Sequence, residues 1–334
     1  MKRILIVLLF LLLLAALALP AAIGWLVQDR AGTALRERWP EAEIDWQRGW
    51  TRSSIDVDVP GGRAQIKLRH LTVMPPGLLA LDGRITLSEP LAAIELSGSV
   101  SPRLVLQLQL DAPSIALQTQ AMWQWDAPKL RIEADRNGNL MLNLESRQLL
   151  VHDGLGNRLT LAEFQLRLQN TAESDTHSGI ELQLGATRLG AQPSGITLKA
   201  ESVDREALAQ LIEAGRELSN SEPDSATAGF AAIGALAAWQ QLVAGGLSLE
   251  LATLELDAAF ELQGRWDPGT RRLRLLGGGP EATLLDWSAP LIGLQQSLTP
   301  DQADRLARDW LTALQDQPGI RRQDRQLRID IQRP

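Results

Sequence analysis

In a series of short runs between Ile55 and Leu184, Leu, Ile and Val recur at every second position, and that period of two constrains the fold more than any other feature. Leu104, Leu106, Leu108 and Leu110 project to one side of an extended chain, while Gln107 and Gln109 project to the other. A helical period of 3.6 would scatter the same leucines around the axis. Ile55, Val57 and Val59 oppose Asp56 and Asp58 in the same way, and similar runs occupy 66–68, 85–87, 94–96, 130–132, 140–144, 164–168 and 180–184. Turn signals separate them: Pro75-Pro76-Gly77, Asp82-Gly83, Asn137-Gly138, Gly154-Leu155-Gly156 and Gly195. Asn137-Gly138 between two alternating runs marks a hairpin. Strands with one leucine face and one Gln/Arg/Asp/Thr face belong to an antiparallel sheet that is wet on one side. No helical crossover separates the early strands, which argues against a doubly wound α/β fold.

Helical spacing enters only after Val203. Asp204 is placed to cap a helix over 203–218 carrying Leu208, Leu211, Ile212 and Leu218. An alanine-rich helix over 228–244 follows, ended by Gly245-Gly246 and apolar enough to lie against the leucine face. Alternation then resumes at Leu247, Leu249 and Leu251, slips phase at Ala252-Thr253, and continues through Leu254, Leu256, Ala258, Phe260 and Leu262 as one long strand. One residue out of step predicts a β-bulge. Leu273 and Leu275 follow the Pro268-Gly269 turn. A helix over 301–316 carries Leu306, Trp310, Leu311 and Leu314, and Leu327, Ile329 and Ile331 form a closing strand.

The other constraint is the N-terminus. Residues 4–27 contain no charge and follow Lys2-Arg3. As a helix this run reaches roughly 36 Å, enough to cross a hydrocarbon core of about 30 Å. The preceding positive pair keeps the N-terminus cytoplasmic and sends the body across the membrane. Trp25 falls at the expected interface. Ala16-Leu17-Ala18 also has the form of a signal-peptidase site, so the segment is either a retained anchor or a cleaved signal; both export the rest. A short amphipathic helix over 28–39 leads out of the bilayer and stops at Pro40.

Composition removes several function classes. A net charge of −7 disfavours a nucleic-acid partner. With no cysteine there is neither a disulfide nor a thiolate site. His70, His152 and His177 show no ligand spacing, and the Gly-x-Ser-x-Gly, Ser-x-x-Lys and His-Glu-x-x-His signatures are missing, so neither enzyme chemistry nor a cofactor is expected. Asp56 with Asp58, and Glu133 with Asp135, pair carboxylates on one strand face, where a solvated surface is the expected role. Gly277-Gly278-Gly279-Pro280 lacks the Lys-Ser/Thr of a phosphate loop and reads as a turn or bulge. Trp46, Trp50, Trp123, Trp125 and Trp239 are either ordinary core or the lining of an apolar groove.

The segment Asp45-Trp46-Gln47-Arg48-Gly49-Trp50-Thr51-Arg52-Ser53-Ser54 resembles the YdgA-like bacterial membrane-anchored family of unknown function. Asp204-Arg205-Glu206-Ala207-Leu208 and the ending around Gly319-Ile320 and Leu327-Arg328-Ile329 are similar to it as well. Trp125-Asp126-Ala127-Pro128 resembles a second envelope family, and both lie near the AsmA-like group, whose kinship implies lipid handling. Arg48-Gly49-Trp50 itself reads as a strand start, with Gly49 allowing a bend.

The expectation is therefore a mainly β, α+β protein: a transmembrane anchor over 1–29, then one periplasmic domain over 30–334. Its antiparallel sheet would be twisted into a half-pipe with the helices on the concave face. The expected role is non-enzymatic, at the bacterial inner membrane, binding or guiding a lipid acyl chain in a leucine-lined groove. The alternative is a scaffold whose groove is filled by its own helix over 228–243 and which acts by homodimerisation or partner docking.

Overall fold

A computed structural model of the protein describes residues 42–49, 51–59, 62–72, 77–88, 92–118, 121–188, 190–221 and 226–333. The expected anchor over 1–29, Trp25, the helix over 28–39 and Trp50 lie outside the described residues. The chain divides into two compact units, one holding residues up to 117 together with 125–136, the other holding 118–124 and 137–334.

The first unit is built from strands alone among the described residues. In chain order they are β1 (Glu43–Arg48), β2 (Arg52–Val59), β3 (Gly62–Thr72), β4 (Gly77–Leu87), β5 (Ala92–Val100), β6 (Leu106–Asp111) and β9 (Lys129–Ala134); the short β7 (Ser114–Gln118) and β8 (Met122–Asp126) straddle the division, most of β8 falling in the second unit. Each of β1 to β5 pairs antiparallel with the next, and β6 pairs antiparallel with β9. The alternation works as the sequence requires: Ile55, Val57 and Leu68 are buried on one face, packed with Ile44, Trp46, Ile66, Leu79 and Leu81. The other face carries cross-strand ion pairs, Arg69 to Asp82 at 2.8 Å and Arg84 to Glu95 at 3.3 Å. Exposed pairs of this kind contribute only about 0–1 kcal/mol each, so the buried face supplies the stability.

The second unit contains β10 (Leu140–His152), β11 (Arg158–Ala172), β12 (His177–Arg188), β13 (Pro193–Asp204), α1 (Arg205–Asn220), α2 (Ala226–Ala244), β14 (Ser248–Leu256), β15 (Phe260–Asp267), β16 (Arg272–Pro280), α3 (Glu281–Gln296), α4 (Pro300–Gln315), β17 (Ile320–Gln323) and β18 (Gln326–Arg333). Its strands pair antiparallel in the order β10, β11, β12, β13, β14, β15, β16, β18, β17. Asp204 caps α1, its carboxylate accepting from the Ala207 backbone N–H at 2.9 Å. Small residues let α1 and α2 approach closely: Ala207, Ala214, Ala231 and Ala238 are all buried, and Gly234 lies beside Ala214. At the head of α4, the Thr299 backbone N–H donates to Gln302 Oε1 at 3.0 Å, with Pro300 in the first turn.

The bulge expected at Ala252-Thr253 is present. Leu251 pairs with Gly264 and Leu254 with Leu262, so two residues oppose one. Further register shifts interrupt β11 with β12 and β12 with β13.

Six expectations change. The turns expected at Asp82-Gly83 and Gly195 are absent: Asp82 and Gly83 lie within β4, opposite Lys67 and Ile66, and Gly195 lies within β13, opposite Gly185. The strand expected from Leu104 starts at Leu106, because Leu104 sits at φ 60° and is exposed. The long strand through Ala258 is broken into β14 and β15 by a turn with Asp257 at φ 52° and Ala258 at φ 51°, positions without the glycine or asparagine that usually announces such a turn. Gly277, Gly278 and Gly279 form neither a turn nor a bulge. They lie inside β16 at φ 152°, 148° and 156°, where an added Cβ would meet neighbouring carbonyl oxygens at 2.1, 2.0 and 2.5 Å, which leaves room only for glycine. Gly49 ends a strand rather than starting one, its N–H donating to the Arg52 carbonyl at 2.8 Å across the β1–β2 turn. Finally, α3 has no counterpart in the periodicity, since Pro290 interrupts its middle and its apolar residues form no stripe.

Candidate functional site

The leucine face of the second unit is covered at its two ends and open between them. At one end α1 and α2 close over it: Val203, Ala207, Leu242 and Leu247 form a buried cluster joined by Ile180, Ala200, Leu211 and Leu249. At the other, α3 and α4 close over Phe260 and Leu327, with Leu256, Leu262, Leu284 and Leu285 around Leu311. The stretch of β12 to β16 left between the helix pairs is a groove of about 300 Å³. Leu182, Leu198, Leu251, Trp266, Leu273 and Leu275 line it.

Gly264 opens the middle of this floor. A Cβ there would run into Leu275 Cδ2 at 2.3 Å and the Arg274 carbonyl at 2.5 Å, so any larger residue would close the groove or part the strands. Leu198 and Trp266 remain substantially exposed, an uncovered apolar surface on strands that bury their neighbours. Trp239 of α2 borders the groove by stacking on Trp266, with ring centroids 6.0 Å apart at 28°. A pair in this geometry contributes about 0.5–1.5 kcal/mol beyond burial. The reverse face of the same strands is charged, with Glu181 facing Lys199 and Glu250 facing Arg265 in register. Arg265 also reaches Glu201 at 3.2 Å. Polarity therefore changes completely through the thickness of one sheet.

A half-buried ion pair fixes α3 at its end of the face. Asp257, in the β14–β15 turn, accepts from Arg188 Nη2 at 2.8 Å, Trp287 Nε1 at 3.1 Å and Ser194 Oγ at 3.2 Å. The Arg188 guanidinium also lies 5.8 Å from the Trp287 ring centre and donates to the Asp286 carbonyl at 3.2 Å. A second tie joins Glu281, at the head of α3, to Arg322 and Gln315.

Of the described tryptophans expected to line a groove, Trp239 alone borders this one. Trp46 packs in the first unit against Ile55, Val57 and Leu68, and its Nε1 has no partner. Trp123 and Trp125 lie on β8 and are not among the lining residues. Trp266 is the wall residue that sequence reasoning missed. The available signal was local: Trp266 continues the every-second-residue series of Phe260, Leu262 and Gly264.

The paired carboxylates do surface work: Asp56 accepts from Gln65 at 2.9 Å and shares Arg63 with Asp58, and Glu133 accepts from Gln107 at 3.2 Å. Ser53 and His70 form a buried pair with Oγ and Nε2 3.3 Å apart, and His70 Nδ1 has no partner. Without an orienting carboxylate or solvent access, this pair lacks the parts of a hydrolytic site. Among the described residues no group of His, Cys, Asp and Glu is arranged to hold a metal ion.

The described residues thus define an antiparallel-sheet protein of α+β class with an open apolar groove in its second unit. Comparison with family models, curated proteins and solved structures finds no match to this chain.

Proposed function

We propose that this protein is a membrane-anchored, non-enzymatic envelope protein that holds a lipid acyl chain along the leucine groove of its second unit. The observation that carries this reading is the uncovered leucine floor between the two helix pairs, bordered also by Lys199, Glu250 and Arg265, which alternate with the leucine-face positions. Its volume of about 300 Å³ lies at the small end of the range of roughly 300–1,000 Å³ typical of ligand pockets, which suits one chain segment rather than a whole lipid. In this reading residues 4–27 tether the body to the inner membrane from the periplasmic side, and the bulged strands of the second unit curl as a half-pipe with the helices on the concave side.

The self-filled scaffold has less support. Of α2 only Trp239 borders the groove, at its rim, and Phe230, Ile233 and Leu236 of the same helix are exposed rather than inserted. A diazirine-bearing fatty acid photolysed on the full-length protein should label peptides containing Leu182, Leu198, Leu251 or Leu275. Leu198→Glu, at an exposed position, should reduce that labelling about tenfold by placing a carboxylate against the chain. Labelling spread over both faces of the sheet, or unchanged in Leu198→Glu, refutes the assignment.

A further inference from the structure

The outer side of α2 is apolar where a water-facing helix would carry charge. Phe230, Ile233 and Leu236 are 75%, 66% and 58% exposed, and Gly229, Ala232 and Ala237 complete the same surface. No charged residue occurs from Ala226 to Ala244. A run long and apolar enough to cross a membrane is commonly the core helix of a soluble domain, but Thr227–Ala244 is only 17% buried.

We propose that this face of α2 is a bilayer-contact surface, lying in the plane of a phospholipid interface rather than crossing it. The packing decides between the two. Ala231, Ala238 and Leu242 are already used against α1 and the sheet, and α1 exposes Glu206, Glu213, Arg216 and Glu217 alongside. Crossing would drag those charges into hydrocarbon, whereas lying flat sinks the Phe230 stripe and leaves α1 in water. A bilayer is the partner that the sequence itself offers: residues 4–27 of the same chain are the expected span. Because α2 has no basic residue and α1 is mainly acidic, contact depends on apolar burial and not on attraction to anionic lipid. The proposal does not require the groove to hold lipid.

The chain has no cysteine, so single labels can be placed directly in the full-length protein. Phe230→Cys, Ile233→Cys, Leu236→Cys and, as a water-facing control, Gln210→Cys would carry bimane. Each is reconstituted in vesicles of equal phosphatidylethanolamine and phosphatidylglycerol. The first three should emit to the blue and be quenched several-fold more than the control by lipids brominated on their acyl chains, equally at low and high salt. Ile233→Asp with Leu236→Asp, melting as the parent does, should return a label at 230 to the control level, since each side chain withdrawn weakens partition roughly tenfold. Water-like emission at all three positions overturns the proposal. So does a blue shift without bromolipid quenching: accompanied by cross-links between protomers it assigns the face to a second copy, and without them to the chain's own N-terminal segment.

Discussion

Replacing Asp257 by Ala tests whether one carboxylate holds α3 against the end of the leucine face. Its side chain is 13% exposed and accepts from Arg188, Trp287 and Ser194. Hydrogen bonds to a charged group contribute about 1.5–3 kcal/mol each, but they do not add here. The Ser194 hydroxyl also accepts from the Asp257 backbone N–H at 2.7 Å, a bond that survives truncation. Arg188 is a quarter exposed and keeps the Asp286 carbonyl, so water restores part of its solvation. The expected cost is therefore about 3 kcal/mol, at the low end of the range for breaking a buried pair. Asp257→Asn keeps Oδ1 as the acceptor for Trp287 and Ser194 but turns an amide NH2 toward Arg188, which can swing to the Asp286 carbonyl and carboxylate, and should cost about 1 kcal/mol. The difference corresponds to about a thirtyfold change in local opening, readable as hydrogen exchange of the α3 amides in the full-length protein. Equal exchange in the two variants, or a loss under about 1 kcal/mol for Asp257→Ala, would refute this account of the contact.

Other perturbations follow from the backbone and from one titrating loop. Ala258→Gly should stabilise the second unit by about 1 kcal/mol, because φ 51° is costly for a residue with a Cβ; an unchanged or lower melting temperature contradicts this. Gly278→Ala should cost roughly 3 kcal/mol or more, since the new Cβ would sit 2.0 Å from the Leu327 carbonyl oxygen, and limited proteolysis should then cut within 260–333; resistance equal to the parent's contradicts it. Burial raises the Asp153 carboxyl, but hydrogen bonds from the Asn157 side chain and from the Leu155, Asn157 and Gly156 backbone outweigh that and hold it below its usual range. A depressed carboxylate contributes stability above its unfolded pKa of about 3.9 and loses it as pH falls through the lower folded value. The 153–157 loop, which reaches Leu298 through the buried Asn157, should therefore loosen in acid below about pH 4, and Asp153→Asn should abolish that dependence. Equal acid sensitivity in the variant would assign the loosening to another group.

How much was legible follows from the range over which each signal acts. Whether a residue faces core or water in a strand depends on neighbours two positions away, so Ile55, Leu68, Leu182 and Leu251 could be assigned to an apolar face from the alternation alone. A cap depends on three residues, and Asp204 at the head of α1 was equally readable. The bulge at Ala252-Thr253 showed itself as a slip in phase. Backbone reversals made without glycine left no such trace. Asp257 and Ala258 take positive φ because Arg188, Ser194 and Trp287, distant in sequence, hold the turn, and a single run of apolar residues conceals it.

From its own pattern the sequence determined an antiparallel α+β body with one leucine face, because side-chain alternation is a local property of an extended chain. Only the tertiary structure decided which part of that face stays open. Coverage arises where Val203 meets Leu242 and where Phe260 meets Leu311 and Leu327, contacts between residues dozens of positions apart that no local period records. The same long-range packing turned the alanine side of α2 inward and left Phe230, Ile233 and Leu236 outside.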